Sequence, residues 1–331
     1  MTPVPPGRFA FRASTREGAE DWRRRFRRAL EDALGLTGMA REMAGHRVTA
    51  RRVERVDRGV HVREKWYVAT EPGVQLPVWV LHPARPGSRL PIVITPHGHN
   101  HPQIYAGITQ NAEEEALIRD GDRDITVQAA REGYIGILPT ARGFGETRGP
   151  KDLESGKLSS CRDRLVHGLL AGRTPIGERV WDVSRIIDWA VEAFGADGSR
   201  IAITGNSGGG TTSLFAAACE PRIKVAVPSG YFCTFAGSIG SIHHCECNYV
   251  PGMLTLGEMY DVAGLVAPRP FLAIAGKADD IFPIRHTRTA FARLRRIYRV
   301  FGASDRCELF IGSGGHRYYQ AGSWPFVRRF L

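Results

Sequence analysis

Apolar residues return at every fourth position near the start of the chain. Trp22, Phe26, Leu30 and Leu34 share one side, while the other sides carry clustered arginines. That spacing predicts an amphipathic helix over 17–36. From 47 to 82 the period shortens. "HRVTARRVERV", "GVHVREKWYVAT" and "VQLPVWVLHP" are rich in β-branched and aromatic residues and are separated by Asp-Arg-Gly and Glu-Pro-Gly turns. They predict an antiparallel meander. Beyond it, short apolar runs alternate with amphipathic stretches. "LPIVITPHG", "YIGILP", "SRIAITG", "IKVAVPSG", "RPFLAIAG" and "CELFIG" read as buried strands. "ITVQAAREG", "GERVWDVSRIIDWAVEAFG", "GGGTTSLFAAACE", "HTRTAFARLRRIYRVFG" and the terminal "GSWPFVRRFL" read as helices. Strand and helix alternating over most of the chain predicts an α/β fold, a mostly parallel sheet with helices on both faces. Residues 230–260 carry neither period until their end, and a long irregular insertion in a compact domain is usually functional.

No linker or internal repeat interrupts the 331 residues. The expected organisation is an N-terminal extension over 1–46, carrying the amphipathic helix, and one domain over 47–331. No apolar run approaches the roughly 18 residues of a membrane span, and the first residues lack the apolar core of a secretory signal. A cytoplasmic protein without membrane partners is the expectation. The formal charge of +11 rests on 45 basic residues, of which only five are lysine. The arginines are scattered, without the aromatic-interleaved basic stripe of a nucleic-acid surface, so no nucleic-acid partner is expected. Among six cysteines there is no C-x-x-C pair, and Cys245-Glu246-Cys247 is tighter than a zinc-ribbon knuckle. Buried free thiols are the reading, with no cofactor and no metal.

Two stretches carry chemistry. "ITGNSGGG" follows a strand and opens a helix, and Gly205-Asn206-Ser207-Gly208-Gly209 fits G-x-S-x-G. In that turn the serine is held on a strained strand-to-helix corner, and the glycines let neighbouring backbone approach. Alone the motif is weak, since a glycine-rich helix start or phosphate turn looks similar; the absence of a lysine after it excludes a P-loop. The acid and the histidine of a catalytic triad should follow in that order, each on a loop after a strand. "FLAIAGKADDIFP" offers Asp279 and Asp280, and "ELFIGSGGHRYY" offers His316. The second stretch is "TPHGHNH", with His97, His99 and His101 alternating. A metal-binding H-x-H-x-D-H would need Asp-His next, but Pro102 and Gln103 follow. The strand before it instead points to half of an oxyanion hole, made by the backbone N–H groups of His99 and Gly208.

Over about 75–331 the sequence resembles the α/β-hydrolase superfamily, and more narrowly its acetyl xylan esterase and dienelactone-hydrolase-like branch. The resemblance rests on "PHGH", "ARGFGETRG", "GERVWDVSRIIDWA", "GNSGGG", "CNYVPGM", "VAPRPFLAIAGKADDIFP" and "GGHRYY". It implies an α/β-hydrolase fold with a lid-like insertion near 230–260 and a triad of Ser207, Asp279 and His316. "DDIFP" is similar to the branch's "DPIFP", which favours Asp279 over Asp280. Glucuronoyl esterases are neighbours whose elbow carries an arginine after the serine, where this chain has Gly208. The implied activity is a serine carboxylic ester hydrolase acting on small or carbohydrate esters. C–C hydrolases and peptidases use the same triad, and a silent binding protein on this fold is the rival from another class. His243, His244 and Tyr249 in the insertion, and Arg142 in "ARGFG", are pocket candidates; for Arg142 a structural role is the stronger reading. The antiparallel N-terminal region could serve a homo-oligomer interface.

Overall fold

The computed structural model describes residues 5–85 and 87–331. A nine-stranded sheet runs through it in the order β1-β2-β3-β5-β4-β6-β7-β8-β9. The strands are β1 Thr49–Asp57, β2 His61–Glu71, β3 Val74–Pro83, β4 Ile92–Ile94, β5 Ile135–Pro139, β6 Ile201–Asn206, β7 Val225–Ser229, β8 Phe271–Gly276 and β9 Cys307–Gly312. β1 to β3 form the meander, and β3 meets β5 antiparallel. From β5 through β4 to β9 every pairing is parallel. β1 is the free edge of the meander, and its charged side chains, Arg51, Arg52, Glu54, Arg55 and Asp57, disfavour further pairing.

The helices are α1 Arg16–Leu34, α2 Leu36–Glu42, α3 Ala112–Arg119, α4 Ile125–Arg131, α5 Pro150–Glu154, α6 Cys161–Leu170, α7 Pro175–Phe194, α8 Gly208–Cys219, α9 Met253–Leu256, α10 Met259–Gly264, α11 Ile284–Val300 and α12 Gln320–Phe330. Successive residues of each strand feed opposite faces of the sheet. Ile92, Ile94, Ile201 and Ile203 pack with α1, α7, α8 and α11. Val93, Ala202, Val227 and Ile274 pack with α4 and α12 on the other side. α1 buries the fourfold-spaced Trp22, Phe26, Leu30 and Leu34 in the first of these cores. The N-terminal helix is therefore part of the same hydrophobic body as the sheet. α7 begins two residues before the expected start, because Thr174 caps the Gly177 N–H and Pro175 fits the first helical turn.

Helices α3, α5 and α6 have no counterpart in the hydrophobic pattern. α6 leaves Val166, Leu169 and Leu170 exposed, so no core-facing stripe announces it. The insertion after β7 is irregular as expected, broken only by a 3-10 turn at Glu246–Asn248 and by α9 and α10.

Chain order places the loops that matter. After β4 the chain goes to β5 on one side, then returns past β4 to β6 on the other. The carboxyl ends of β4 and β6 thus flank the crevice where connections diverge, the usual ligand site of an open α/β sheet. His99 follows β4 and Ser207 follows β6.

Candidate active site

Ser207 takes φ 58° and ψ −119°, a left-handed conformation rare for a side-chain-bearing residue. Strain of this kind is of order 1–3 kcal/mol and persists only where the surroundings enforce it. The enforcement is visible at the flanking glycines. A Cβ on Gly205 would lie 2.4 Å from the Pro96 carbonyl oxygen, and one on Gly209 only 2.0 Å from it. The Ser207 N–H donates to the Ser229 carbonyl at 2.9 Å, tying the turn to the end of β7.

Asp279 and His316 meet on the loops after β8 and β9. His316 Nδ1 lies 2.8 Å from Asp279 Oδ2, and Asp279 Oδ1 accepts the N–H groups of Ile281 and Phe282 at 3.0 and 2.9 Å. The two loops are joined by Lys277 N–H to Gly312 carbonyl and Ala278 N–H to Gly314 carbonyl. Asp280 is exposed and makes no contact with His316. With Nδ1 donating to the carboxylate, the acceptor nitrogen of His316 is Nε2, which is buried and has no hydrogen-bond partner. The His316 ring stacks on Phe282 and touches the neighbourhood of Asn206, since a Cβ on Gly230 would be 3.1 Å from both His316 Cε1 and Asn206 Oδ1. The Ser207 hydroxyl is not hydrogen-bonded to His316 here; such contacts often tighten only with substrate bound.

The three histidines of "TPHGHNH" have three different jobs. His97 is buried; its Nε2 accepts the Ala141 N–H at 2.9 Å, so its proton sits on Nδ1, which donates to the Gly98 carbonyl at 2.7 Å. Burial pushes its pKa down to about 3, so the ring is neutral. In a trans peptide the C=O and the next N–H point in opposite directions. Holding the Gly98 carbonyl on one side therefore turns the His99 N–H to the other. Gly98 itself lies against Ser207, where a Cβ would be 3.3 Å from Ser207 Cβ. Neither the His99 N–H nor the Gly208 N–H, at the first turn of α8, donates to a protein acceptor among the described residues. His101 is half-exposed and faces Glu114.

His99 points its ring elsewhere. Its Nε2 is 3.2 Å from Cys247 Sγ, and Cys161 and Cys245 complete a group whose donor atoms all lie within 4.8 Å of one another. Hydrogen bonding from Cys161 and Cys245, with Arg179 nearby, holds the Cys247 thiol well below its ordinary pKa despite burial. This grouping was not legible in the spacing of Cys245 and Cys247, because its other members come from α6 and from the loop after β4.

The remaining pocket candidates separate. His244 belongs to the site wall: its ring packs edge-on against Phe282, and burial lowers its pKa. His243 is exposed to solvent. Tyr249 lines a separate apolar cavity of about 310 Å³ with Phe235, Ile239 and Met253, its hydroxyl donating to the Ile239 carbonyl. Arg142 takes the structural role and not the pocket role. It is buried among carboxylates, bonded to Asp182 at 2.7 and 2.9 Å and paired with Glu71, and so has no face toward a substrate. Arg123 was not singled out from sequence. It bridges Asn100 Oδ1 at 2.8 Å and the His316 carbonyl at 3.3 Å, linking the loops after β4 and β9.

Among known families, the X-Pro dipeptidyl-peptidase (S15 family) profile matches residues 72–236, a span that holds Ser207 but not Asp279 or His316. The Bacillus subtilis (strain 168) protein YtaP, named for a hydrolase assignment, is 26% identical over 250 residues, 72% of this chain and 77% of its own. A Bacteroides fragilis structure assigned as an acetyl xylan esterase superposes with TM-score 0.77 at 16% identity, over 96% of this chain and 80% of that one. A glucuronoyl esterase from Solibacter usitatus gives 0.70 at 12% identity, over 99% and 97%. With the sheet order, the strained serine between Gly205 and Gly209, and superpositions over nearly the whole chain, the protein has the α/β-hydrolase fold.

Proposed function

We propose that this protein is a serine carboxylic ester hydrolase in which Ser207, His316 and Asp279 form the catalytic triad. The observation that carries the reading is the open, buried Nε2 of His316, with Nδ1 fixed on Asp279, at the same carboxyl edge of the sheet as a serine held at φ 58°. His316 Nε2 takes the hydroxyl proton as Ser207 Oγ attacks the ester carbonyl. Asp279 keeps the proton on Nδ1 and stabilises the imidazolium. The oxyanion rests on the His99 and Gly208 N–H groups, each worth about 3 kcal/mol by the usual scale of such donors. His97 acts as a positioning residue through the Gly98 carbonyl. Collapse of the tetrahedral intermediate passes the proton from His316 to the departing alcohol and leaves an acyl-serine. Water, deprotonated by His316, then releases the acid.

The substrate class is a small or carbohydrate ester, a short acyl group or a sugar-acid ester, by similarity to the acetyl xylan and glucuronoyl esterase structures. Within that class Gly208 favours acetyl esters. The His99 ring lies 3.3 Å from the Cβ position of residue 208, so the arginine expected there in glucuronoyl esterases would press on that ring and require it to shift. The S15 match supports a second reading, cleavage of X-Pro peptides by the same residues. Turnover of p-nitrophenyl acetate, acetylated xylo-oligosaccharides, a glucuronate methyl ester and an X-Pro p-nitroanilide separates the readings. Preference for the acetyl esters, lost in Ser207→Ala, supports the proposal. Turnover of the anilide alone transfers the chain to the peptidases.

A further inference from the structure

We propose that His99, Cys161, Cys245 and Cys247 bind one zinc ion, a structural site that fastens the insertion after β7 and helix α6 to the loop after β4. Three segments far apart in sequence bring four soft donors into one group, every pair within 4.8 Å. The two contacts resolved individually are Cys247 Sγ to His99 Nε2 at 3.2 Å and Cys247 Sγ to Cys245 Sγ at 3.4 Å. Around a tetrahedral zinc with bonds of about 2.3 Å to sulfur, neighbouring donors stand about 3.5–3.8 Å apart. The group therefore needs little movement to close on an ion. All three cysteines are free thiols.

The surroundings fit a metal better than three idle thiols. Three thiolates and a neutral imidazole around a divalent ion carry one net negative charge. Arg179 supplies one positive charge beside them: it is buried, its guanidinium lies over the Phe144 ring, and its Nε has no hydrogen-bond partner. Phe144 and Ala141 close the group with an apolar wall. Four protein donors leave no open position, so the ion is structural and touches no substrate. Loading the site releases to solvent the protons that the three thiols and the imidazole hold between them and changes no oxidation state.

The site also has a consequence for catalysis, which rests on the esterase reading above. Metal on His99 Nε2 fixes the ring proton on Nδ1, the nitrogen that faces Gly208, where a Cβ would be 3.3 Å away. One side chain then anchors the ion while its own backbone N–H serves the oxyanion. The ion thereby holds half of the oxyanion hole in place.

The test is the metal content of protein purified without chelators, followed by cobalt(II) exchange. The expected result is one zinc per chain, and on exchange a thiolate-to-cobalt charge-transfer band with intense tetrahedral d–d bands. Cys161→Ser and Cys245→Ser should each lose the zinc, with proton release on reloading reduced to match. Protein isolated without metal, taking up neither zinc nor cobalt and with its thiols reacting freely in the native state, overturns the proposal; so does a disulfide within the group. These readouts need no active enzyme, so a failure of the esterase reading leaves them interpretable.

Discussion

Removing the two hydrogen bonds of His97, while leaving its bulk, should damage the proposed oxyanion hole without touching the proposed triad. In His97→Phe the Ala141 N–H and the Gly98 carbonyl lose their partners at 2.9 and 2.7 Å. Each buried group left unpaired costs about 1–3 kcal/mol of stability. The Gly98–His99 peptide is then free to turn, and the His99 N–H no longer points dependably at the oxyanion. Loss of one such donor lowers kcat by about 10²–10³. The donor matters most in the transition state, so KM should change little. His97→Gln carries both an acceptor and a donor and should recover part of kcat. The ring's pKa of about 3 means that its own protonation does not enter an assay at neutral pH. The assay is steady-state hydrolysis of p-nitrophenyl acetate by the three proteins, each checked for folding by a urea melt. If His97→Phe is folded and keeps kcat within a factor of a few, the peptide-orienting role is refuted.

Other expectations follow from single contacts. Arg142→Met leaves Asp182, Glu71 and Glu178 without their shared cation and should cost about 3–5 kcal/mol in urea unfolding with KM unchanged. A raised KM at unchanged stability would return Arg142 to the pocket. Gly209→Ala should abolish folding or activity, because its Cβ would stand 2.0 Å from the Pro96 carbonyl oxygen; an active, stable variant contradicts the elbow packing. Burial pushes Asp261 up from 3.8 to about 6, although it accepts the Phe11 and Glu258 N–H groups. The folded protein then holds that proton more tightly than the unfolded chain. Its contribution is full below about pH 4 and is lost as pH rises through about 6, by no more than about 3 kcal/mol. Urea midpoints should therefore fall in the wild type relative to Asp261→Asn between those values; parallel curves contradict it.

The sheet was legible because its strands bury whole apolar runs and its main helices bury clear stripes, as Trp22, Phe26, Leu30 and Leu34 do on α1. The proposed triad could be read from the sequence for a different reason: Ser207, Asp279 and His316 each stand on a loop just after a strand, in chain order. Helix α6 was not legible, since its apolar residues face outward rather than into the core. Arg142 stood among the pocket candidates only as the weaker reading, because a residue after a strand at the active edge can turn inward as easily as outward, and here it turns inward onto Asp182. The thiol–imidazole group escaped for a topological reason. Cys161 starts a helix with no hydrophobic signal, and only folding brings it to His99 and to the C-x-C of the insertion. The irregular insertion has no period because its path follows those anchors and the site wall at His244 rather than a sheet or helix face.

The most direct test of the central claim is covalent labelling with a fluorophosphonate, read by intact mass and peptide mapping, alongside p-nitrophenyl acetate turnover. The account predicts one adduct per chain, on Ser207, with activity lost in step and with neither adduct nor turnover in Ser207→Ala. An adduct elsewhere, or turnover that survives Ser207→Ala, would contradict it.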